Sequence, residues 1–312
     1  MLKMLERFPI GDESQGFGFG ATRTLNVMIE AMRLAFADRA VWMGDEDFVD
    51  VPKDGLIDDD YVAMRTALID PDSRMPEAFP DDPRPFDSAS LLKNVKLASL
   101  TSQPEHGHTT HFSVVDKWGN VVSYTTTIEA GWGSGILVPG YGFLLNNELT
   151  DFNFTPRAGT DPPGDLDFDP GANDVAPFKR PRSSMSPSIL FKGDSPIAAY
   201  GSPGGSTIIN SVFQITLNLI DHGLAIQQAI DAPRISSTTS NPTGASIRRE
   251  EGFSTEVFQE LEDLGHDFRD PSSIGSVQAI VIDLQTGKQY GGADQRREGT
   301  VIGLPRPQGK NK

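Results

Sequence analysis

The chain has 312 residues, 37% hydrophobic and 22% charged, a composition that suits a globular fold and a length that can bury a sizeable core. A formal net charge of −16 argues against nucleic acid and anionic membrane surfaces as partners, because their phosphates would be repelled. The absence of cysteine removes thiol nucleophiles, thiolate metal sites and disulfides together, so hydrolytic chemistry would have to use a hydroxyl, a carboxylate or a metal. No apolar run approaches the roughly 18 residues that span a bilayer. The opening MLKMLERFPIGDES lacks the apolar core of a secretory signal, and the compartment is left open.

Along the chain, residues 22–40 predict an amphipathic helix, with Leu25, Met28, Ile29, Met32, Ala35 and Phe36 on one stripe. A second, short helix is expected near Asp58–Leu68. Residues 70–90 are rich in Pro and Asp without periodicity and read as an exposed linker, which continues through TSQPEHGH to Thr109. From Thr109 the pattern switches to period two: HFSVVD, a Trp118-Gly119-Asn120 turn and VVSYTTTI predict a β-hairpin. GYGFLLNNELTDF reads as another strand entering a loop, and residues 155–182 as a long loop of the kind that covers binding sites. SPSILFKG and SPIAAYGS predict a further hairpin. GSPGGSTIINSVFQITLNLIDHG reads as strand, glycine turn and helix, Glu256–Leu264 as a helix, and VQAIVIDLQTGKQYGGAD as a strand with a hairpin return. Strands, helices and strands follow one another without a repeated βαβ unit, which predicts antiparallel sheets covered by helices, an α+β layered fold.

The most informative stretch is GHTTHFSVVD, residues 107–116. A polar segment ends at His108 and a strand begins at Thr109. If the chain is cut between them, Thr109 gains a free α-amine that can act as base for its own hydroxyl. The plain alternative is a strand with exposed threonines. Three of the five histidines crowd into HGHTTH, but no HExxH occurs, and strand alternation places His111 on the face of Thr109; neither a metal nor a cofactor is expected.

Other segments bear chemistry less specifically. Gly201–Ser206, between strand and helix, can present backbone N–H groups to an oxyanion, or simply turn the chain. Ser183 and Ser184 can hold a carboxylate, or open a strand. Glu148 and Asp151 after an apolar FLL suit a cationic group such as an amine, or form a solvated loop.

Taken together, TTHFSVVD (109–116), GNVVSYTTTI (119–128), GFLLNNELTDF (142–152), KRPRSSMSPSIL (179–190) and GSPGGSTII (201–209) resemble the γ-glutamyltransferase (glutathione hydrolase) family of N-terminal nucleophile hydrolases. Residues 28–52 are similar to the end of that family's large subunit. The resemblance implies a four-layer αββα sandwich lacking part of the large subunit. Residues 1–108 would be the C-terminal part of the large-subunit region with its linker, and residues 109–312 the small, catalytic subunit. It implies self-cleavage between His108 and Thr109, giving a large/small heterodimer. Thr109 would be the nucleophile and Thr127 its orienting partner. Gly204 and Gly205 would bind the oxyanion, Glu148 and Asp151 the substrate α-ammonium, and Ser183 and Ser184 its α-carboxylate. Glutathione or another γ-glutamyl compound would be the donor, and water, an amino acid or a dipeptide the acceptor. Members are mostly periplasmic or extracellular.

Two departures from the family pattern stand out. Glu129 occupies a position where well-known members carry an asparagine that contacts the substrate amine. The family's long N-terminal portion, with an arginine that clamps the α-carboxylate, has no counterpart here, leaving Arg180 or Arg182 as replacement cations. Two alternatives follow: a glutaryl or cephalosporin-type acylase of the same fold, and an inactive fragment that needs a partner chain, such as a separate N-terminal segment.

Overall fold

The computed structural model describes residues 1–88, 108–153, 171–239 and 246–304. Helix α1 (Leu2–Leu5) leads through a short turn to α2 (Thr22–Trp42), followed by α3 (Lys53–Ile57) and α4 (Asp59–Thr66). Asp58 caps α4, its carboxylate accepting from the N–H groups of Asp60 and Tyr61. The predicted amphipathic helix is in fact buried nearly all round. Leu25, Ile29 and Met32 are buried as expected, but so are Asn26, Glu30, Arg33 and Asp38.

These buried polar groups explain why the expected linker is not one. In residues 70–88 Met75 and Ala78 join the core. The side chain of Asn26 donates to the carbonyls of Asp70, Pro71 and Ser73. Arg33 donates to the carbonyls of Met75 and Pro76, and Arg65 to that of Phe79. Backbone carbonyls that prolines leave without a ladder partner are thus taken up by helix side chains. The remainder of the expected linker, residues 89–107, lies outside the described residues.

Strands β1 (Thr109–Val115) and β2 (Val121–Thr127) form the predicted hairpin, in a register that sets Thr109 opposite Thr127 and His111 opposite Thr125. Strands β3 (Ser188–Lys192) and β4 (Ser195–Gly201) form the next hairpin, followed by α5 (Thr207–Ile220), α6 (Ile226–Asp231), the short pair β5 (Ile235–Ser236) and β6 (Arg248–Arg249), α7 (Thr255–Asp263), β7 (Gln278–Ile282) and β8 (Gln289–Ala293). β3, β4, β7 and β8 make one antiparallel sheet in the order β3-β4-β7-β8. The strand expected around Tyr141–Asn147 is absent. That stretch holds one isolated bridge, Leu137 to Leu144, and a 3-10 turn at Glu148–Asp151, because positive-φ glycines at 133, 135, 140 and 142 turn the chain too often for a ladder.

The layers stack in a definite order. α5 and α6 cover one face of the four-stranded sheet, where Tyr200, Val277 and Ala279 meet Ile208, Ile215 and Ile230. α2 and α7 lie behind α5, with Phe213 and Leu217 packed among Ile29, Met32 and Leu261. The β1–β2 hairpin lies on the sheet's other face, with β1 against β4 and β7. Its side chains are sorted against the usual rule. The inner row is polar: His111 bonds Thr125 Oγ1 through Nδ1 (2.8 Å) and Ser113 Oγ through Nε2 (3.1 Å), while Ser123 Oγ donates to the Tyr200 carbonyl. Burial holds the His111 imidazole neutral, pushed down to about 4. The outer row is apolar and open: Phe112, Val114, Val122 and Tyr124 are each nearly half exposed. Among the described residues no helix is long and apolar enough to cross a membrane.

Candidate active site

The hairpin register brings the predicted nucleophile to its predicted partner. Thr109 is buried, and its Oγ1 hydrogen-bonds Thr127 Oγ1 at 3.1 Å. Thr127 Oγ1 also accepts from the N–H of Glu129 at 2.9 Å. The backbone N–H of His108 donates to the Glu129 carbonyl at 2.6 Å, so the residue before the candidate scissile bond extends the ladder by one rung. The junction is therefore held, where the sequence suggested a slack segment.

His111, two residues beyond Thr109, packs on Gly201, where a Cβ would stand 2.5 Å from the ring. This fixes the start of β1 at the end of β4 from which the glycine turn leaves. Pro203 and Thr109 line one cavity of about 270 Å³, with Ser276 and Gln278. Gly204 has φ 139° and Gly205 φ 59°, and a Cβ on Gly204 would lie 2.6 Å from Thr207 Oγ1. Only glycine fits that turn. The carbonyls of Gly204 and Gly205 accept from Thr207 and Ile208 at the start of α5. Among the described residues neither glycine N–H has a hydrogen-bond acceptor. Two unused donors in the turn just ahead of a 14-residue helix favour an anion.

Three carboxylates, Glu129, Glu148 and Asp151, lie close enough to feel one another's charge. Glu129 receives a hydrogen bond from Asn147 Nδ2, whose Oδ1 accepts from the Ala130 N–H. Burial, then the charges of Asp151 and Glu129, push Glu148 up to about 7. Asp151 is also raised, by burial first and then by Glu129, against the pull of Arg39 and Arg182. Crowded carboxylates with raised pKa values favour a bound cation.

Ser183 is exposed and Ser184 half-buried. Ser184 Oγ accepts from Arg39 Nη2 at 2.9 Å, and the same nitrogen reaches the Ser183 carbonyl at 3.1 Å. Neither replacement cation weighed from the sequence is open to a ligand in the way expected. Arg180 is bound to Asp45 and Asp47, and Arg182 donates to the carbonyls of Arg39 and Ala40 at the end of α2. Arg39 itself went unnoticed in the sequence. Its only local sign was a basic residue in the last turn of a helix. The loop expected near the pocket mouth falls partly on residues 154–170, outside the described residues.

A sheet stacked between a helical layer and a second, β layer, with a threonine at the head of that β layer's first strand, has the form of the N-terminal nucleophile hydrolases. The family model described as Gamma-glutamyltranspeptidase matches residues 1–304, and the chain belongs to that family. It is 42% identical over 305 residues to the glutathione hydrolase proenzyme of Bacillus subtilis (strain 168), covering 97% of this chain and 48% of that protein. The chain thus spans about half the length of the curated relatives it matches. Among solved structures, gamma-glutamyltranspeptidase from Pseudomonas nitroreducens is 34% identical with a TM-score of 0.54, over 63% of this chain and 100% of that one. Cephalosporin acylase from Bacillus halodurans is 27% identical with a TM-score of 0.75, over 98% of this chain and 49% of that one.

Proposed function

We propose that this chain is the catalytic half of an autoprocessing γ-glutamyl-transferring hydrolase, with Thr109 as nucleophile. The observation that carries the reading is the hydrogen bond between buried Thr109 and half-buried Thr127, with carboxylates and a serine–arginine group on loops. In maturation the Thr109 hydroxyl attacks the His108 carbonyl carbon, the peptide C–N bond breaks, and the acyl group moves from nitrogen to oxygen. Water then hydrolyses the ester, leaving pieces of 108 and 204 residues. The freed α-amine, with an ordinary pKa of about 7.7–8.0, takes the hydroxyl proton during catalysis. Thr109 accepts the γ-glutamyl group as an ester, releasing the amine of glutathione or a similar compound. Water, an amino acid or a dipeptide then receives the acyl group. Gly204 and Gly205 donate N–H groups to the tetrahedral oxyanion. Glu148 and Asp151, with Glu129, hold the donor's α-ammonium, and Ser183 and Ser184 its α-carboxylate. The division at residue 108 is supported by length: residues 109–304 are about 63% of the chain, the share that matches the whole of the separate Pseudomonas chain.

A second reading keeps the fold and changes the donor. Cephalosporin acylase from Bacillus halodurans aligns with nearly the whole chain, which supports a glutaryl- or cephalosporin-type amide as the alternative donor. A third component belongs to either reading. The bare apolar row of the β1–β2 hairpin and the chain's half-length relation to its relatives support a further polypeptide segment as partner.

Denaturing electrophoresis tests the central step. Cleaved material should show two bands whose smaller member begins at Thr109, and Thr109→Ala should remain a single band near 34 kDa. An uncut band for both would sink the proposal. Comparing a γ-glutamyl anilide with a glutaryl anilide separates the two donors.

A further inference from the structure

The N–H groups of Gly204 and Gly205 belong to two consecutive peptide units, Pro203–Gly204 and Gly204–Gly205. In a planar trans peptide the C=O and the N–H point in opposite directions, so whatever grips the carbonyl aims the N–H. Each of these two carbonyls is gripped by a buried hydroxyl. Ser202 Oγ donates to the Pro203 carbonyl at 2.6 Å, and Thr207 Oγ1 donates to the Gly204 carbonyl at 2.8 Å. Both residues are fully buried, and neither lines the 270 Å³ cavity beside Thr109. Ser202 Oγ also accepts from the Ser276 N–H at 2.9 Å, which leaves its own proton for Pro203. Gly275, with φ 68°, backs the turn. A Cβ there would lie 2.6 Å from Ser202 Oγ and 3.3 Å from the Pro203 carbonyl oxygen, and a Cβ on Gly204 would lie 3.3 Å from Gly275 Cα.

We propose that Ser202 and Thr207 are positioning residues of the oxyanion site: two hydroxyl clamps that hold the Gly204 and Gly205 N–H groups at the angle a tetrahedral oxyanion needs. The inference rests on the Thr109-nucleophile reading and deepens it, because it names what keeps those donors in place. Donors aimed before the reaction starts stabilise the charge as it develops, with no reorganisation at the moment of reaction. Since neither clamp lines the cavity, its loss is felt in the transition state rather than in substrate binding. The Gly204 carbonyl also accepts from the Thr207 N–H at 3.2 Å, a second hold that the Pro203 carbonyl lacks among the described residues. Ser202 is therefore the more important of the two.

Steady-state hydrolysis by the 312-residue chain tests it. The substrate is whichever of γ-glutamyl and glutaryl anilide the unaltered chain turns over, since the oxyanion is the same for both. Ser202→Ala should lower kcat about tenfold or more and change KM less than about twofold. Thr207→Val keeps the side-chain shape and removes the hydroxyl; it should lower kcat about threefold or more, and Thr207→Ser, which keeps the hydroxyl, should restore it. Thr216→Val is the control. It removes a buried hydroxyl of the same helix, bonded to Tyr200 and to the Val212 carbonyl, and should leave kcat within about twofold. Unchanged kcat in Ser202→Ala or in Thr207→Val overturns the inference. So does equal loss in Thr207→Val and Thr207→Ser, or a loss in Thr216→Val as large as theirs, since either marks a merely structural role. In all these cases the unaltered chain still hydrolyses its anilide and the Thr109 reading stands. If the unaltered chain hydrolyses neither anilide, that reading falls and takes the inference with it. Should Ser202→Ala fail to fold, the Thr207→Val and Thr207→Ser pair decides alone.

Discussion

Glu129 holds a φ of 68°, one of two non-glycine residues with positive φ among those described. A left-handed backbone costs an ordinary residue about 1–2 kcal/mol, and asparagine less. Glu129 keeps it because its N–H is needed by Thr127 and its carbonyl by His108. Glu129→Asn should therefore raise stability by roughly 1 kcal/mol in urea unfolding, part of it from removing one of three crowded carboxylates. Glu148 makes a separate prediction. Its folded pKa is raised from the ordinary 4.5 to about 7. The native state thus binds the extra proton between those values, and stability contributed by the neutral form is lost as pH rises through about 7. Binding of an ammonium ligand should run the opposite way, tightening as Glu148 ionises. L-Glutamate affinity measured from pH 5.5 to 8 should rise with a midpoint near 7, and Glu148→Gln should flatten the curve. At this scale local order made the Thr109–Thr127 contact and the glycine turn legible. Arg39 was not legible, because its partners lie 144 and 145 residues further on.

Helix α2 is an element whose polar residues do structural work. Arg33 Nη1 bonds both oxygens of Glu30, and His266 Nε2 meets Asn26 Oδ1 at 2.7 Å. All four side chains are buried. Arg33→Met should destabilise the fold by about 3–5 kcal/mol, since it leaves Glu30 buried with its main partner gone; adding Glu30→Gln should recover a large part, as a double-mutant cycle would measure. Burial, then the charges of Arg74 and Arg33, push His266 from 6.5 down to about 3. Its neutral form contributes stability fully above pH 6.5, and that contribution is lost as pH falls toward 3, because the unfolded chain takes the proton first. A stability profile across that window should slope upward with pH, and His266→Gln should shallow it. The same helix shows why the Pro-rich segment at 70–88 was misread. Composition reports that such a segment makes no ladder of its own, not that side chains 42 and 44 residues upstream hold its carbonyls. Both major hairpins and helices α5 and α7, by contrast, follow periodicities carried within each segment.

Over the whole molecule, the hairpin's inverted sorting is the feature that local reading could not supply. Period two announces a two-faced strand but not which face turns inward, and here the polar row is buried. The ring pair Phe112–Tyr124, with centroids 5.1 Å apart, lies on the open side. An apolar strip of this kind promotes association. Replacing Phe112 and Tyr124 by lysine should reduce self-association in sedimentation runs and shift unfolding of the chain only slightly, since about half of each side chain stands open among the described residues. The tether between His108 and Glu129 has its own corollary. Were the backbone severed after His108, that hydrogen bond would survive the event, because it involves only the nitrogen of His108. The newborn carboxylate would then linger beside the newborn amine, an inhibitor made by the protein's own maturation. Competence would have to await its departure, so scission and the onset of turnover should be separable in time.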